Sequence, residues 1–217
     1  MRFVPSIKRG LVHLKLKFTL INTAKVGNFV VKVVVVFHSV TGTTKQLAEA
    51  VTNGAAAENG VDAKLIEIKG KDIVEGRYIN VEVIEELSRA DALIFGSPTF
   101  MGSVSAQFKA LADATGDLWA DRGWANKLAA GFTIGSNFSG DQLSTIQYMQ
   151  VFASQHGMLW VSLDIPGNCD PENRNRLGAQ SGLIAHSKDG QLDELDLVTA
   201  QYLGLRVAQM AVKFNAY

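Results

Sequence analysis

The chain has a single cysteine, no net charge and no apolar run of membrane-spanning length. One thiol, Cys169, excludes an intramolecular disulfide and a multi-thiolate zinc site, and it fits the reducing cytoplasm in which the protein is expected to reside. It lies in Pro166-Gly167-Asn168-Cys169-Asp170-Pro171, a loop by composition, with no neighbouring histidine to activate it. With 21 basic residues against 21 acidic ones, there is no basic excess of the kind that holds nucleic acid. No stretch approaches the roughly 18 consecutive apolar residues of a membrane span. His13, His38, His156 and His186 are scattered without metal-ligand spacing, so no metal site is expected.

Catalytic signatures are missing as well. There is no G-x-S-x-G hydrolase elbow, no G-x-x-x-x-G-K-[ST] triphosphate loop and no G-x-G-x-x-G dinucleotide fingerprint in the first turn. Carboxylate pairs in a distinctive setting are also lacking: Glu85, Glu86 and Asp91 read as solvated positions and a strand entry, and Asp193, Glu194 and Asp196 as the acidic start of a helix. Chemistry by a bound cofactor is therefore favoured over hydrolysis. No acid precedes Glu49, whereas Arg2, Lys8, Arg9, Lys15, Lys17 and Lys25 do. Leu14, Leu16, Phe18 and Leu20 in this leader alternate like a strand, unlike a transit peptide, and no uncharged segment is long enough for a signal peptide. Residues 1–29 are expected to be a dispensable basic extension or the product of a start upstream of the true one, and residues 30–217 one domain.

What is present is the material of an α/β protein: 217 residues, 47% apolar, with 20 glycines, enough to bury one substantial core. From Val30 onward short apolar strands alternate with helical patterns, the signature of a parallel sheet covered on both faces. Strands are expected at Val31 to Phe37, Asp62 to Ile68, Ala92 to Gly96, Leu128 to Ile134 and Met158 to Leu163. Helices are expected near Thr43 to Glu58, Val81 to Ser88, Ser105 to Thr115, Asp141 to His156 and Glu194 to Lys213. The first carries Leu47, Ala48, Val51 and Ala55 on one stripe, and the last Leu197, Ala200, Leu203, Val207 and Met210. Lys69 to Asn80 and Asp164 to Lys188 read as loops. Five parallel strands with interleaved helices fit a doubly wound domain.

In such a sheet ligands bind outside the carboxyl ends of the strands. After the first strand comes Ser39-Val40-Thr41-Gly42-Thr43-Thr44, where helix amides and hydroxyls suit a phosphate without a lysine. After the third comes Ser97-Pro98-Thr99-Phe100-Met101-Gly102-Ser103, and after the fourth Gly135-Ser136-Asn137-Phe138-Ser139-Gly140. All three join small residues and polar groups, and the second and third add one aromatic each, as a flat hydrogen-bonding ring requires. His156 ends a helical pattern at Gln155-His156-Gly157-Met158, where its charge would complement the helix dipole. His38 is expected to pack beside the sheet.

Ser39 to Thr44 is similar to the [ST]-x-T-G-x-T phosphate loop of the flavodoxin superfamily. Gly96-Ser97-Pro98-Thr99, Ala114-Thr115-Gly116-Asp117-Leu118-Trp119, Gln155-His156-Gly157-Met158 and Ala208-Gln209-Met210-Ala211-Val212-Lys213 resemble its Trp-repressor-binding-protein branch, the FMN-dependent NAD(P)H:quinone oxidoreductases. The resemblance runs from about Val31 to Phe214. It implies a flavodoxin-like three-layer α/β sandwich with a five-stranded parallel sheet.

It further implies that Ser39, Val40, Thr41, Gly42, Thr43 and Thr44 hold the FMN phosphate. Pro98, Thr99, Phe100, Met101, Gly102 and Ser103 would line one side of the isoalloxazine, and Ser136, Asn137, Phe138, Ser139 and Gly140 the other. The resemblance places Trp119 near a neighbouring subunit's flavin and His156, as catalytic residue, close to the ring, in a homodimer or homotetramer. Two electrons would pass from NAD(P)H to a quinone or similar small acceptor, with backbone amides near Ser103 and the third loop stabilising charge on the reduced ring. Phe100 stands where the branch has an arginine, Asn137-Phe138-Ser139 replaces a glycine-rich loop, and the segment between Lys69 and Asn80 is shorter. The alternatives are a flavodoxin-type electron carrier and a non-catalytic flavin-binding module.

Overall fold

The valine-rich run of the sequence has Lys32 as its one exposed member, because the strand it forms is covered from both sides. The structure, a computed structural model, describes residues 30–216; the basic leader with its Leu14 to Leu20 alternation lies outside them. In chain order the elements are β1 (Val31–Phe37), α1 (Thr43–Ala56), β2 (Val61–Glu67), β3 (Ile73–Val74), β4 (Arg77–Tyr78), α2 (Val81–Ser88), β5 (Ala92–Pro98), α3 (Ala106–Asp113) and α4 (Gly116–Ala120). They continue with β6 (Leu128–Gly135), α5 (Gln142–Gln155), β7 (Leu159–Trp160), β8 (Leu183–Lys188), β9 (Gln191–Leu192) and α6 (Glu194–Asn215). Capping chemistry sets several helix starts: the side chains of Asn80, Ser105 and Asp193 accept from the amides of Val83, Phe108 and Leu195, each satisfying a donor that a helix N-terminus leaves unpaired.

The main sheet runs β2-β1-β5-β6-β8-β9, with every pairing parallel except β8 with β9. This is the 2-1-3-4-5 order of a flavodoxin-like doubly wound sheet. The expected fifth strand is divided. β7 pairs with the start of β6 at Leu128 and Ala129, and β8 pairs with its end from Phe132 to Gly135. Val161 N still donates to Ala129 O of β6 at 2.7 Å; the chain then loops out of the sheet, the two ends of the excursion tied where Leu163 N donates to Gln180 O at 3.0 Å. Thus Met158 to Leu163 is a strand over only two residues, and Leu183–Lys188, read as loop beside its Gly and Asn neighbours, is the upper half of strand five. The segment Lys69 to Asn80, also read as loop, contains the β3–β4 hairpin.

One face of the sheet packs Val33, Val35 and Phe37 against α1 and α6; the other packs Val34, Val36 and Phe95 against α2, α3 and α5. The α1 stripe is as expected, with Leu47, Ala48, Val51 and Ala55 all at 0% exposure. In α6, Met210 is turned out and Ala208 and Ala211 take the inner positions. Two glycines set the approach of these helices. A Cβ on Gly54 would lie 1.9 Å from the Gln201 carbonyl oxygen, and one on Gly204 would lie 1.9 Å from that of Val51.

Candidate functional site

Gly42 stands at the N-cap of α1 with φ 90, a left-handed conformation in which its missing side chain offers no cap. The Ser39 hydroxyl fills part of that gap, accepting from the amides of Gly42 at 3.2 Å and Lys45 at 3.3 Å. The amides of Thr43 and Thr44, at the first two helical positions, have no intrahelical acceptor. Thr41 and Thr43 share a hydroxyl contact of 3.2 Å. Together they form an anion seat made of amides and hydroxyls at the positive end of the helix.

This seat opens into a cleft of about 380 Å³ at the carboxyl end of the sheet, within the range of small-molecule sites, roughly 300–1,000 Å³. Of the expected binding residues, Val40, Thr41, Thr43, Thr44, Pro98, Thr99, Phe100 and Ser136 line it. Ile134, Gly135, Ser187, Asp189 and Gly190 line it too, and the last three were not singled out in the sequence. Their signal was the Asp189-Gly190 dipeptide closing an alternating run, a type I′ hairpin cue; both residues have positive φ.

The hydroxyl of Thr99 is committed to the protein. Thr133 Oγ1 donates to Ser97 O at 2.8 Å, so it accepts from Thr99 Oγ1, 2.8 Å away. Thr99 Oγ1 accepts in turn from Thr145 Oγ1 of α5 at 2.8 Å, and its amide donates to Ile134 O. Thr99 therefore shapes the cleft without offering it a donor. A similar correction applies to Ser103, whose amide donates to Phe100 O while Phe100 N donates back to Ser103 O. Met101 and Gly102, both at positive φ, form the tip of that turn.

The third loop is turned away from its expected place. Phe138 stacks on His186 with ring centroids 4.2 Å apart and planes 21° apart, while His186 Nε2 lies 3.2 Å from Ser136 O. Asn137, Phe138, Ser139 and Gly140 are exposed at the rim and only Ser136 and Gly135 reach the cleft. Beneath the loop, Gln142 is fully buried and its Nε2 donates to Ala185 O at 2.8 Å, tying α5 to β8.

His156 and Trp119 are not brought to this cleft. His156 caps the C-terminus of the 14-residue α5, whose length of about 21 Å separates it from the Gln142 end beneath the loop. Its ring is 5% exposed, lies 4.6 Å from that of Trp124 and meets the Thr115 hydroxyl at 2.9 Å through Nε2. Burial lowers its pKa, which works against the helix-capping charge expected from its position. With the half-exposed Trp119 it lines a separate hollow of about 560 Å³. His38 is buried beside the sheet as expected, and its pKa is lowered by that burial against the opposing field of Glu67.

A larger hollow of about 570 Å³ flanks β2 and α2. Part of its charge is paired internally, with Glu86 held by Lys64 at 3.0 Å and by Arg89 at 2.8 Å. The first cleft is the better site because it joins an anion seat, apolar walls at Pro98, Phe100 and Ile134, and a buried hydroxyl without a protein partner, Ser187 Oγ. Those features fit a phosphorylated polyol chain carrying a flat ring.

Sheet order, split fifth strand and the anion seat at Gly42 are those of a flavodoxin-like mononucleotide-binding fold. The chain belongs to the NADPH-dependent FMN reductase family, whose model matches residues 31–164. It is 37% identical over 194 residues to flavodoxin FldP of Pseudomonas aeruginosa, covering 85% of this chain and 99% of that one. It is 36% identical over 196 residues to an NAD(P)H dehydrogenase (quinone) of Archaeoglobus fulgidus, covering 84% and 98%. The crystal structure of a WrbA-like flavodoxin from Agrobacterium tumefaciens matches with a TM-score of 0.68 at 37% identity, covering 84% of this chain and 98% of that one.

Proposed function

We propose that this protein is an FMN-dependent oxidoreductase that passes two electrons from NAD(P)H to a quinone or a similar small electrophilic ring. The observation that carries the reading is the Gly42 seat, where the Thr43 and Thr44 amides and neighbouring hydroxyls face a cleft with apolar walls. Thr41, Thr43 and Thr44 would hold the phosphate, and Pro98, Phe100 and Ile134 would flank the ring. Bound FMN supplies the hydride-accepting and hydride-donating chemistry. The protein would hold and orient it through those contacts; Met101 and Gly102 do not line the cleft, and the Ser103 amide is engaged within its own turn.

The test is the visible spectrum of the reconstituted protein, followed by steady-state oxidation of NADH and NADPH with a quinone present and no separate reductase. Turnover under those conditions supports the reading; a flavin spectrum without turnover supports a carrier instead. The carrier reading is favoured by the identity to a relative named flavodoxin, whereas the zero net charge departs from the acidic surface by which such carriers dock basic partners.

The same proposal includes a homo-oligomer. Trp119 is 53% exposed and borders the hollow shared with His156, so these two residues would approach a flavin only across a subunit boundary. Sedimentation at micromolar concentration tests assembly, and a His156→Ala variant with unchanged quinone turnover removes that residue from the mechanism. Among the described residues no helix is long and apolar enough to cross a membrane; residence in the cytoplasm is part of the proposal.

A further inference from the structure

Ser187, near the end of β8, is 8% exposed. It lines the cleft beside Asp189 and Gly190, yet its Oγ has no hydrogen-bond partner in the protein. A buried hydroxyl left unpaired is unfavourable, and a χ1 rotation between staggered wells redirects it without moving the backbone. The register places Ser187 one residue past His186, which stands opposite Gly135 of β6, so it is level with Ser136 on the other wall. The seat for an anion is at Thr43 and Thr44, across the cleft. Beside Ser187 the hairpin presents the Asp189 carboxylate, an acceptor that repels phosphate and attracts hydroxyl donors.

We propose that the β8–β9 hairpin is the polyol-binding wall of the cleft, with Ser187 Oγ pairing with a ribityl hydroxyl of the flavin and Asp189 disfavouring a phosphate at that end. This rests on the FMN reading above and deepens it. The hairpin lies beyond residues 31–164, the span matched by the family model.

Three flavins separate the parts of the ligand: FMN, riboflavin without the phosphate, and lumiflavin without the ribityl chain. Each is titrated into apoprotein by fluorescence. Ser187→Ala weakens FMN and riboflavin by the same factor, about tenfold for one hydrogen bond to a buried group, and leaves lumiflavin unchanged. Ser187→Thr, which keeps the hydroxyl, restores binding. Thr43→Val, at the anion seat, weakens FMN more than riboflavin. Because the hydroxyl is unpaired without ligand, Ser187→Ala apoprotein melts no lower than the parent; a structural serine would lower both melting and lumiflavin binding. The proposal is overturned if FMN and riboflavin binding are unaffected, if only FMN weakens, or if lumiflavin weakens equally. Failure of the parent protein to bind any of the three overturns the FMN reading itself.

Discussion

Thr115 holds the ring of His156, Oγ1 to Nε2 at 2.9 Å, at the end of the molecule opposite the cleft. Thr115 Oγ1 donates to Ala112 O at 2.7 Å, so it accepts from His156 Nε2–H, which places a proton on Nε2 and leaves Nδ1 buried without a partner. A second proton on that ring has no acceptor to meet.

Acid sensitivity follows. Burial lowers the pKa of both His156 and His38 from the ordinary 6.5. Above that value both rings are neutral in the folded and unfolded chain. As pH falls through it, the unfolded chain binds protons that the folded one resists, so stability drops until the folded pKa values are reached. Thermal melting is expected several degrees lower at about pH 5 than at about pH 7.5, and His156→Gln reduces that difference. Equal pH slopes for parent and variant would refute the assignment.

Gly204→Ala forces a Cβ to within 1.9 Å of the Val51 carbonyl oxygen. Backbone cannot yield as a side-chain tip can, so α1 and α6 must separate, at a cost of about 3 kcal/mol. Urea unfolding measures this; a loss below 1 kcal/mol, roughly the scale of helix propensity alone, would mean the helices adjust freely.

Asp196 is 2% exposed and accepts from Arg176 through both oxygens at 2.8 Å and from the His186 amide at 3.0 Å. It was expected only as part of an acidic helix start, yet it joins α6, the segment between β7 and β8, and β8 itself. Asp196→Ala leaves Arg176, itself mostly buried, without its main partner and is expected to destabilise by about 3 kcal/mol. Since β8 carries Ser187, FMN affinity should fall as well, a coupling that titration of the folded variant checks.

Phe100 lines the cleft and Phe138 covers His186 outside it. Phe100→Ala is expected to raise the KM for a quinone about fivefold, the loss of roughly 1 kcal/mol of ring burial, whereas Phe138→Ala leaves it near the parent value. The reverse order in steady-state kinetics would restore Phe138 to the ring wall.

The parallel sheet was legible because β1 and the first four residues of β5 are almost wholly apolar runs, and β1 ends at a loop of small polar residues. Ser39 to Thr44 was legible for the same reason, since local hydrogen bonds such as Gly42 N to Ser39 Oγ are made within a few residues. β8 was not. Its alternation, with Leu183, Ala185 and Ser187 buried, is interrupted in sequence by the chain that precedes it, and only pairing with β6 identifies it as the continuation of β7.

Sequence alone therefore determined which residues could make an anion seat and which runs could be buried strands, because those depend on neighbours along the chain. Tertiary structure decided whether each polar group remained available to a ligand. Thr99 and Ser103 resemble ligand donors until Thr133, Thr145 and Phe100 claim their hydrogen bonds. Ser187, 144 positions after Thr43, enters the site only because parallel pairing carries distant strands to one edge of the sheet. Hydrogen bonds saturate, and saturation depends on partners far away in the chain.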